Sequence, residues 1–239
     1  MTKITLFLAL LAASAALADD GWEFGVAASY GICELHPAPN AYLNRLPSPR
    51  SNRPLAASLA ASHGRWGLAA SYTPRYELVG EVGKIMDVAL VGRAAPLYRQ
   101  NYAVYAEAGV AVSRSRAPMA FLFDVAGPVY DWTPVVGAGA SWRPWRWLAA
   151  DAGVSYRERL QVVNFAEFDP YYGTVKSPAV GFRAEVTYYP WRWLGVGPSA
   201  EYIAYGPYDY YLYAQTNRNE GWKTADETYV LATVRFVFP

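Results

Sequence analysis

Apolar and polar residues alternate with a period of two along most of the chain. Val136, Ala138, Ala140 and Trp142 interleave with Gly137, Gly139, Ser141 and Arg143, and Leu148, Ala150, Ala152, Val154 and Tyr156 interleave with Ala149, Asp151, Gly153, Ser155 and Arg157. Side chains two apart share a face of an extended chain, so this period predicts strands. Between the two segments lies Pro144-Trp145-Arg146-Trp147-Leu148, and the same cassette returns 46 residues later (190 − 144) as Pro190-Trp191-Arg192-Trp193-Leu194. So short a proline-containing link predicts a tight hairpin. Extending the pattern gives ten strands, near 22–33, 54–62, 65–77, 84–95, 101–114, 132–143, 147–161, 178–189, 193–205 and 227–238.

The connections fall into two sets. Those at 34–53, 115–131, 162–177 and 206–226 are long, with a shorter one near 78–83, whereas His63-Gly64, Pro96 to Gln100, Pro144 to Arg146 and Pro190 to Arg192 are short. Short turns on one rim and long loops on the other predict an all-β, antiparallel, up-and-down transmembrane barrel with both termini on the short-turn rim, which requires an even strand number. The second segment (Leu55, Ala57, Leu59, Ala61) and the fourth (Met86, Val88, Leu90) carry the weakest patterns, and eight strands would remain if they failed to pair. A soluble β-sandwich would expose charged residues on one face of each strand. Here the second face is mostly Gly, Ala and Ser with isolated charges, which suits a narrow lumen better.

Composition points the same way. The chain is 53% hydrophobic and 16% aromatic with only 17% charged residues, yet after the N-terminus no run approaches the roughly 20 apolar residues of a spanning helix. Tryptophans at the hairpins fit a membrane–water interface. Trp142, Trp145, Trp147, Tyr189, Trp191 and Trp193 are therefore expected to form an aromatic girdle at the short-turn rim. Lys3, the apolar stretch Ile4 to Ala13 and Ala16-Leu17-Ala18 read as a cleaved signal peptide, residues 1–18, ahead of a barrel domain spanning 19–239. Losing Lys3 changes 21 basic and 20 acidic residues to 20 and 20, a neutral balance that argues against a nucleic-acid partner. One cysteine, Cys33, makes no intramolecular disulfide, and two histidines with one cysteine make no zinc cluster, so neither a cofactor nor a metal is expected.

With the apolar face against lipid, the opposite face carries Glu23, Asp87, Arg93, Glu107, Arg143, Asp151, Arg157, Arg183, Glu185, Glu201 and Arg235. An Arg or Lys facing hydrocarbon at the midplane costs about 2–4 kcal/mol, so these residues are expected inside. Their mixed signs predict ion pairs that fill the lumen; a narrow conduit selecting a solute is the other reading.

The last strand presents Val230, Ala232, Val234, Phe236 and Phe238 on one face, and Pro239 follows. This resembles the terminal signal of outer-membrane barrels, and the mature chain as a whole resembles a small outer-membrane barrel of the OmpA/OmpW type. The resemblance implies an outer-membrane location in a double-membraned bacterium, lipid partners that include lipopolysaccharide, and reading of Phe236 and Phe238 by the barrel-assembly machinery. The OmpW side of it implies passage of small, even hydrophobic, molecules. Two families of barrel enzymes use a rim histidine: ten-stranded surface proteases with acidic residues, and lipid A–modifying barrels with a serine or acid. His63 falls in a short turn away from that rim, leaving His36, within Glu34-Leu35-His36-Pro37, as the candidate for a hydrolase; no acid–histidine or serine–histidine motif surrounds it.

Among the loops, His36 to Pro54 holds five prolines, a composition that favours extended backbone. The last loop offers Tyr208, Tyr210, Tyr211 and Tyr213 and a polar tip with Asn217, Arg218 and Trp222. Tyrosines give large contacts at low entropic cost, so this loop is the expected contact for a surface ligand. No GxxxxGK[ST] phosphate loop is present, and single glycines read as bends or lumen space. The sequence thus predicts a monomeric, non-enzymatic barrel with a structural or surface-interaction role, with transport and surface hydrolysis as rivals.

Overall fold

The computed structural model describes residues 21–37, 51–76, 85–115, 129–164, 172–206 and 225–238. They form ten long strands: β1 Glu23–Pro37, β2 Leu55–His63, β3 Trp66–Tyr76, β4 Ile85–Tyr98, β5 Tyr102–Ser115, β6 Val129–Trp145, β7 Leu148–Asn164, β8 Tyr172–Trp191, β9 Leu194–Tyr205 and β10 Ala225–Phe238. Ser51–Asn52 pairs with Cys33 and Glu34 and continues β2 along β1 beyond Arg53-Pro54. Each strand runs antiparallel to the next, and β10 returns to β1 in register from Phe24↔Phe238 to Pro37↔Ala225. The sheet is therefore a closed up-and-down barrel of ten strands. Both weakly patterned strands belong to it, β2 through Ala57↔Tyr72 to His63↔Trp66 and β4 through Asp87↔Ser113 to Tyr98↔Ala103, so the eight-stranded alternative is excluded.

Several strands outrun their sequence pattern. β6, β7 and β8 reach 17, 17 and 20 residues, whereas about 9–11 residues cross a bilayer. Beyond that band nothing demands an apolar outer face: Glu158 and Lys176 both lie outward there and pair at 2.9 Å. Alternation then fades while the backbone ladder continues. β1 likewise runs through His36 to Pro37, so the first connection begins later than residue 34.

The tight turns obey local chemistry. Gly64 adopts φ +55° between His63 and Arg65, a conformation that favours glycine. Trp145 pairs with Leu148 and Trp191 with Leu194, so the turn residues are Arg146-Trp147 and Arg192-Trp193. In each cassette the two tryptophans, two residues apart, stack: Trp145 on Trp147 at 4.9 Å and Trp191 on Trp193 at 5.7 Å.

The outer wall carries the large apolar side chains, and aromatic rings stand on it at two levels. Trp142, Trp147 and Trp193 near the short turns are exposed, as are Trp132, Tyr156 and Tyr202 further along the same strands. The separations are 10, 9 and 9 residues (142 − 132, 156 − 147, 202 − 193). Nine residues span about 30 Å along a strand, or about 23 Å at a tilt of about 40°, close to the roughly 25 Å apolar band of a transmembrane barrel.

Candidate functional site

The interior is built from charge. Midway along the lumen, Glu107 of β5 accepts from Arg93 of β4 at 3.2 Å and from Arg183 of β8 at 2.8 Å. The Tyr105 hydroxyl donates to both oxygens of Asp151 on β7, at 2.9 and 3.0 Å, and accepts from Arg183 at 3.1 Å. Arg93 lies over the Tyr105 ring at 4.8 Å. Four strands are thus bridged across the cavity. Beside them Arg235 of β10 meets Glu185 at 2.8 Å, and the Thr187 hydroxyl donates to the same carboxylate. Arg183 and Glu185, neighbours on one face, take different partners.

Glycines make the room for this network. Tyr105 and Glu107 lie opposite Gly139 and Gly137 of β6, Arg183 opposite Gly153, and Arg235 opposite Gly195. A Cβ on Gly137 would sit 2.8 Å from the Glu107 carboxylate, and one on Gly139 would meet the Tyr105 ring and hydroxyl. The lumen surface beneath each long side chain is bare backbone.

Towards the long-loop end the filling becomes tighter. Asp87 of β4, 3% exposed, accepts from Arg157 at 2.6 Å and Ser113 at 2.7 Å, with Arg159 at 3.5 Å. Glu227 of β10 accepts from the Tyr205 and Tyr229 hydroxyls, each at 2.7 Å, beside the apolar cluster of Cys33, Ala179, Ile203, Tyr205 and Tyr229.

One seam of the wall lacks its backbone ladder. β6 and β7 pair from Trp145↔Leu148 only as far as Val136↔Tyr156. Beyond this point β6 remains paired with β5 to Val129↔Ser115, and β7 with β8 to Asn164↔Tyr172. Pro134, with no amide hydrogen, lies in this stretch, and proline within sheets is confined to edge-like positions. Side chains cross the seam instead: Arg157 and Arg159 of β7 reach Asp87 of β4, and Lys176 of β8 bridges Glu158 of β7 and Asp131 of β6 at 2.9 and 3.2 Å.

Below the central network, towards the short-turn rim, the lumen widens into a cavity of about 1390 Å³. Glu23, Glu201 and Arg143 face this space. Tyr189 does so too, which corrects its expected place in the girdle: the Arg143 guanidinium lies over its ring at 5.1 Å. On β8 the odd-numbered residues Arg183, Glu185 and Thr187 point inward and Tyr189 follows them, while Tyr188 is the exposed aromatic, edge-on to Trp147 at 6.0 Å. Trp142, Trp145, Trp147, Trp191 and Trp193 are exposed on the wall.

Tyr105, Arg159, Glu227, Asp131 and Lys176 extend the expected charge set. Tyr105 and Arg159 share their faces with Glu107 and Arg157, so the period of two already marked them; Glu227 lay at the edge of its recognised strand. Phe236 stacks on Trp193 at 6.2 Å and Phe238 pairs with Phe24. His36 stands exposed on β1, its Nε2 2.9 Å from the Thr228 hydroxyl. Its ladder partner Asp226 is engaged by the Tyr202 hydroxyl at 2.7 Å and the Tyr205 amide at 3.0 Å. His63 sits at a short turn with Trp22 5.3 Å away. Tyr208, Tyr210, Tyr211, Tyr213, Asn217, Arg218 and Trp222, and residues 1–18, lie outside the described residues. Among the described residues no group of three or more His, Cys, Asp and Glu could hold a metal ion.

No family model and no curated protein matches the chain. Solved structures do. The outer-membrane protease OmpT from Escherichia coli is 12% identical with a TM-score of 0.49, over 91% of this chain and 96% of that one. The attachment invasion locus protein Ail of Yersinia pestis is 10% identical with a TM-score of 0.39, over 91% and 99%. The toluene transporter TbuX of Ralstonia pickettii is 8% identical with a TM-score of 0.35, over 91% and 89%. One is a protease, one an attachment invasion protein and one a toluene transporter, and function does not follow from a fold alone. Strand number, closure, an apolar wall with two aromatic levels and a charged interior make this chain a ten-stranded antiparallel up-and-down β-barrel of the outer-membrane type.

Proposed function

We propose that the protein is a monomeric, non-enzymatic barrel of a bacterial outer membrane, exported by removal of residues 1–18 and embedded in lipid that includes lipopolysaccharide. Its short turns face the periplasm, the barrel-assembly machinery reads Phe236 and Phe238, and its long loops meet ligands at the cell surface. The observation that carries this reading is the bridging of the lumen at successive levels, by Arg93–Glu107–Arg183, by Asp87–Arg157 and by Glu227 with Tyr205 and Tyr229. An interior so filled suits a scaffold for loops better than a pore. The engagement of Asp226 away from His36 argues against hydrolysis. The interaction role is tested by deleting residues 214–221 and measuring cell and matrix binding of bacteria that display the folded protein. Loss of binding with folding intact is expected; unchanged adhesion would overturn the role of that loop. A second reading, narrow transport, draws on the 1390 Å³ cavity and requires the central network to part.

A further inference from the structure

Six arginines and five carboxylates line the cavity at the short-turn rim. Its deeper carboxylates are engaged: Glu107 and Asp151 serve Arg93 and Arg183, and Glu185 serves Arg235, while Glu23 and Glu201 face the space from β1 and β9. Three more arginines, Arg143, Arg146 and Arg192, line the mouth, and among the described residues none of them meets a carboxylate within 4 Å. The repeated cassette places two of them: Arg146 and Arg192 each stand between two tryptophans that stack on one another, and Trp145, Trp147 and Trp193 border the cavity beside them. Arg143 is held in position, its guanidinium over the Tyr189 ring at 5.1 Å and its Nη2 donating to the Arg146 carbonyl at 3.3 Å. The facing wall, built on β1 to β3, presents Gly25, Ala27, Ser58 and Ala60 and leaves the volume free. At 1390 Å³ the space exceeds the roughly 300–1,000 Å³ of a typical small-ligand pocket.

We propose that this vestibule is a binding site for a soluble oxyanion, a phosphate- or carboxylate-bearing solute, gripped by Arg143, Arg146 and Arg192. Guanidinium forks match such groups with paired hydrogen bonds, and a partly enclosed cavity screens the attraction less than open solvent does. The compartment that supplies the solute is the periplasm if the orientation proposed above holds; the site itself does not depend on it. Lipid phosphate offers the same chemistry, and the test below separates the two sources.

The test uses the mature protein folded in nanodiscs of zwitterionic lipid, titrated with inorganic pyrophosphate and read by calorimetry and tryptophan fluorescence. Saturable binding is expected, weakened at least tenfold in the R143Q/R146Q/R192Q variant and unchanged in R65Q, which removes an exposed arginine of the same rim that does not line the cavity. Folding of each variant is checked by circular dichroism, and the three single variants, each weakening binding severalfold, replace the triple one if it does not fold. No saturable binding by the wild type, or an equal loss in R65Q, would overturn the site. Nanodiscs half composed of anionic lipid separate the two sources. Unchanged pyrophosphate affinity is expected, whereas abolished binding there would mean that a lipid headgroup occupies the arginines and would overturn the soluble ligand.

Discussion

Replacing Asp87 by alanine should destabilise the barrel more than any other single change among the interior charges. Asp87 is the acid that Arg157 approaches at 2.6 Å and Arg159 at 3.5 Å, and their side chains are 3%, 11% and 7% exposed. At this burial solvent screens little, and removing one partner of a buried pair costs about 3–5 kcal/mol. The Ser113 hydroxyl at 2.7 Å loses its acceptor as well, an additional cost of about 1–3 kcal/mol. Relaxation of the arginines towards water returns part of this, so we expect about 3–5 kcal/mol in total, a shift of about two to three and a half decades in the unfolding equilibrium. The seam concentrates the effect, since β6 beyond Val136 has no ladder to β7. The assay is urea unfolding of the protein in liposomes by tryptophan fluorescence, with hydrogen exchange over residues 129–135 and 157–164. Aspartate-to-asparagine exchange at this position should fall between wild type and D87A, because the amide oxygen still accepts from Ser113. A D87A midpoint within about 1 kcal/mol of wild type, with unaltered exchange at the seam, would refute the claim that these ion pairs tie β7 to β4 across the seam.

Three further outcomes are expected. Gly137→Val and Gly139→Val should each cost about 1–3 kcal/mol in the same unfolding assay by displacing Glu107 or Tyr105 from the network; neutral effects would mean that the glycines are not there for space. Tyr229→Phe should destabilise by about 1–3 kcal/mol, since buried Glu227 loses a hydrogen-bond donor, and more than the exposed Tyr202→Phe. His36→Ala should change unfolding by less than about 1 kcal/mol and leave surface binding intact, because its contact with Thr228 is exposed; a larger loss would reopen a role for that histidine.

The sequence exposed most of the barrel because a wall between lipid and a polar lumen imposes a strict period of two. That period placed Glu107, Asp151 and Arg183 on one surface before any contact was known. It failed where its physical cause stops. Above the apolar band Glu158 and Lys176 face outward at no cost, so the ends of β7 and β8 carry no signal. Tyr189 was assigned by residue type to the girdle, whereas parity with Arg183 and Glu185 places it inside. The choice of Glu107 and not Glu185 as the partner of Arg183 depends on strand stagger around the closed barrel, which local pattern does not encode. The break between β6 and β7 is likewise a property of closure, foreshadowed only by Pro134.

In the function proposed here the side-chain bridges seal the lumen. Single-channel conductance of the refolded mature protein in planar bilayers, beside an Arg183→Ala/Glu185→Ala variant, tests it most directly. We predict no stable conductance from wild-type protein shown to be folded, and leak currents only once the central bridges are removed. A steady wild-type conductance that changes in the variant would contradict the sealed lumen and favour transport.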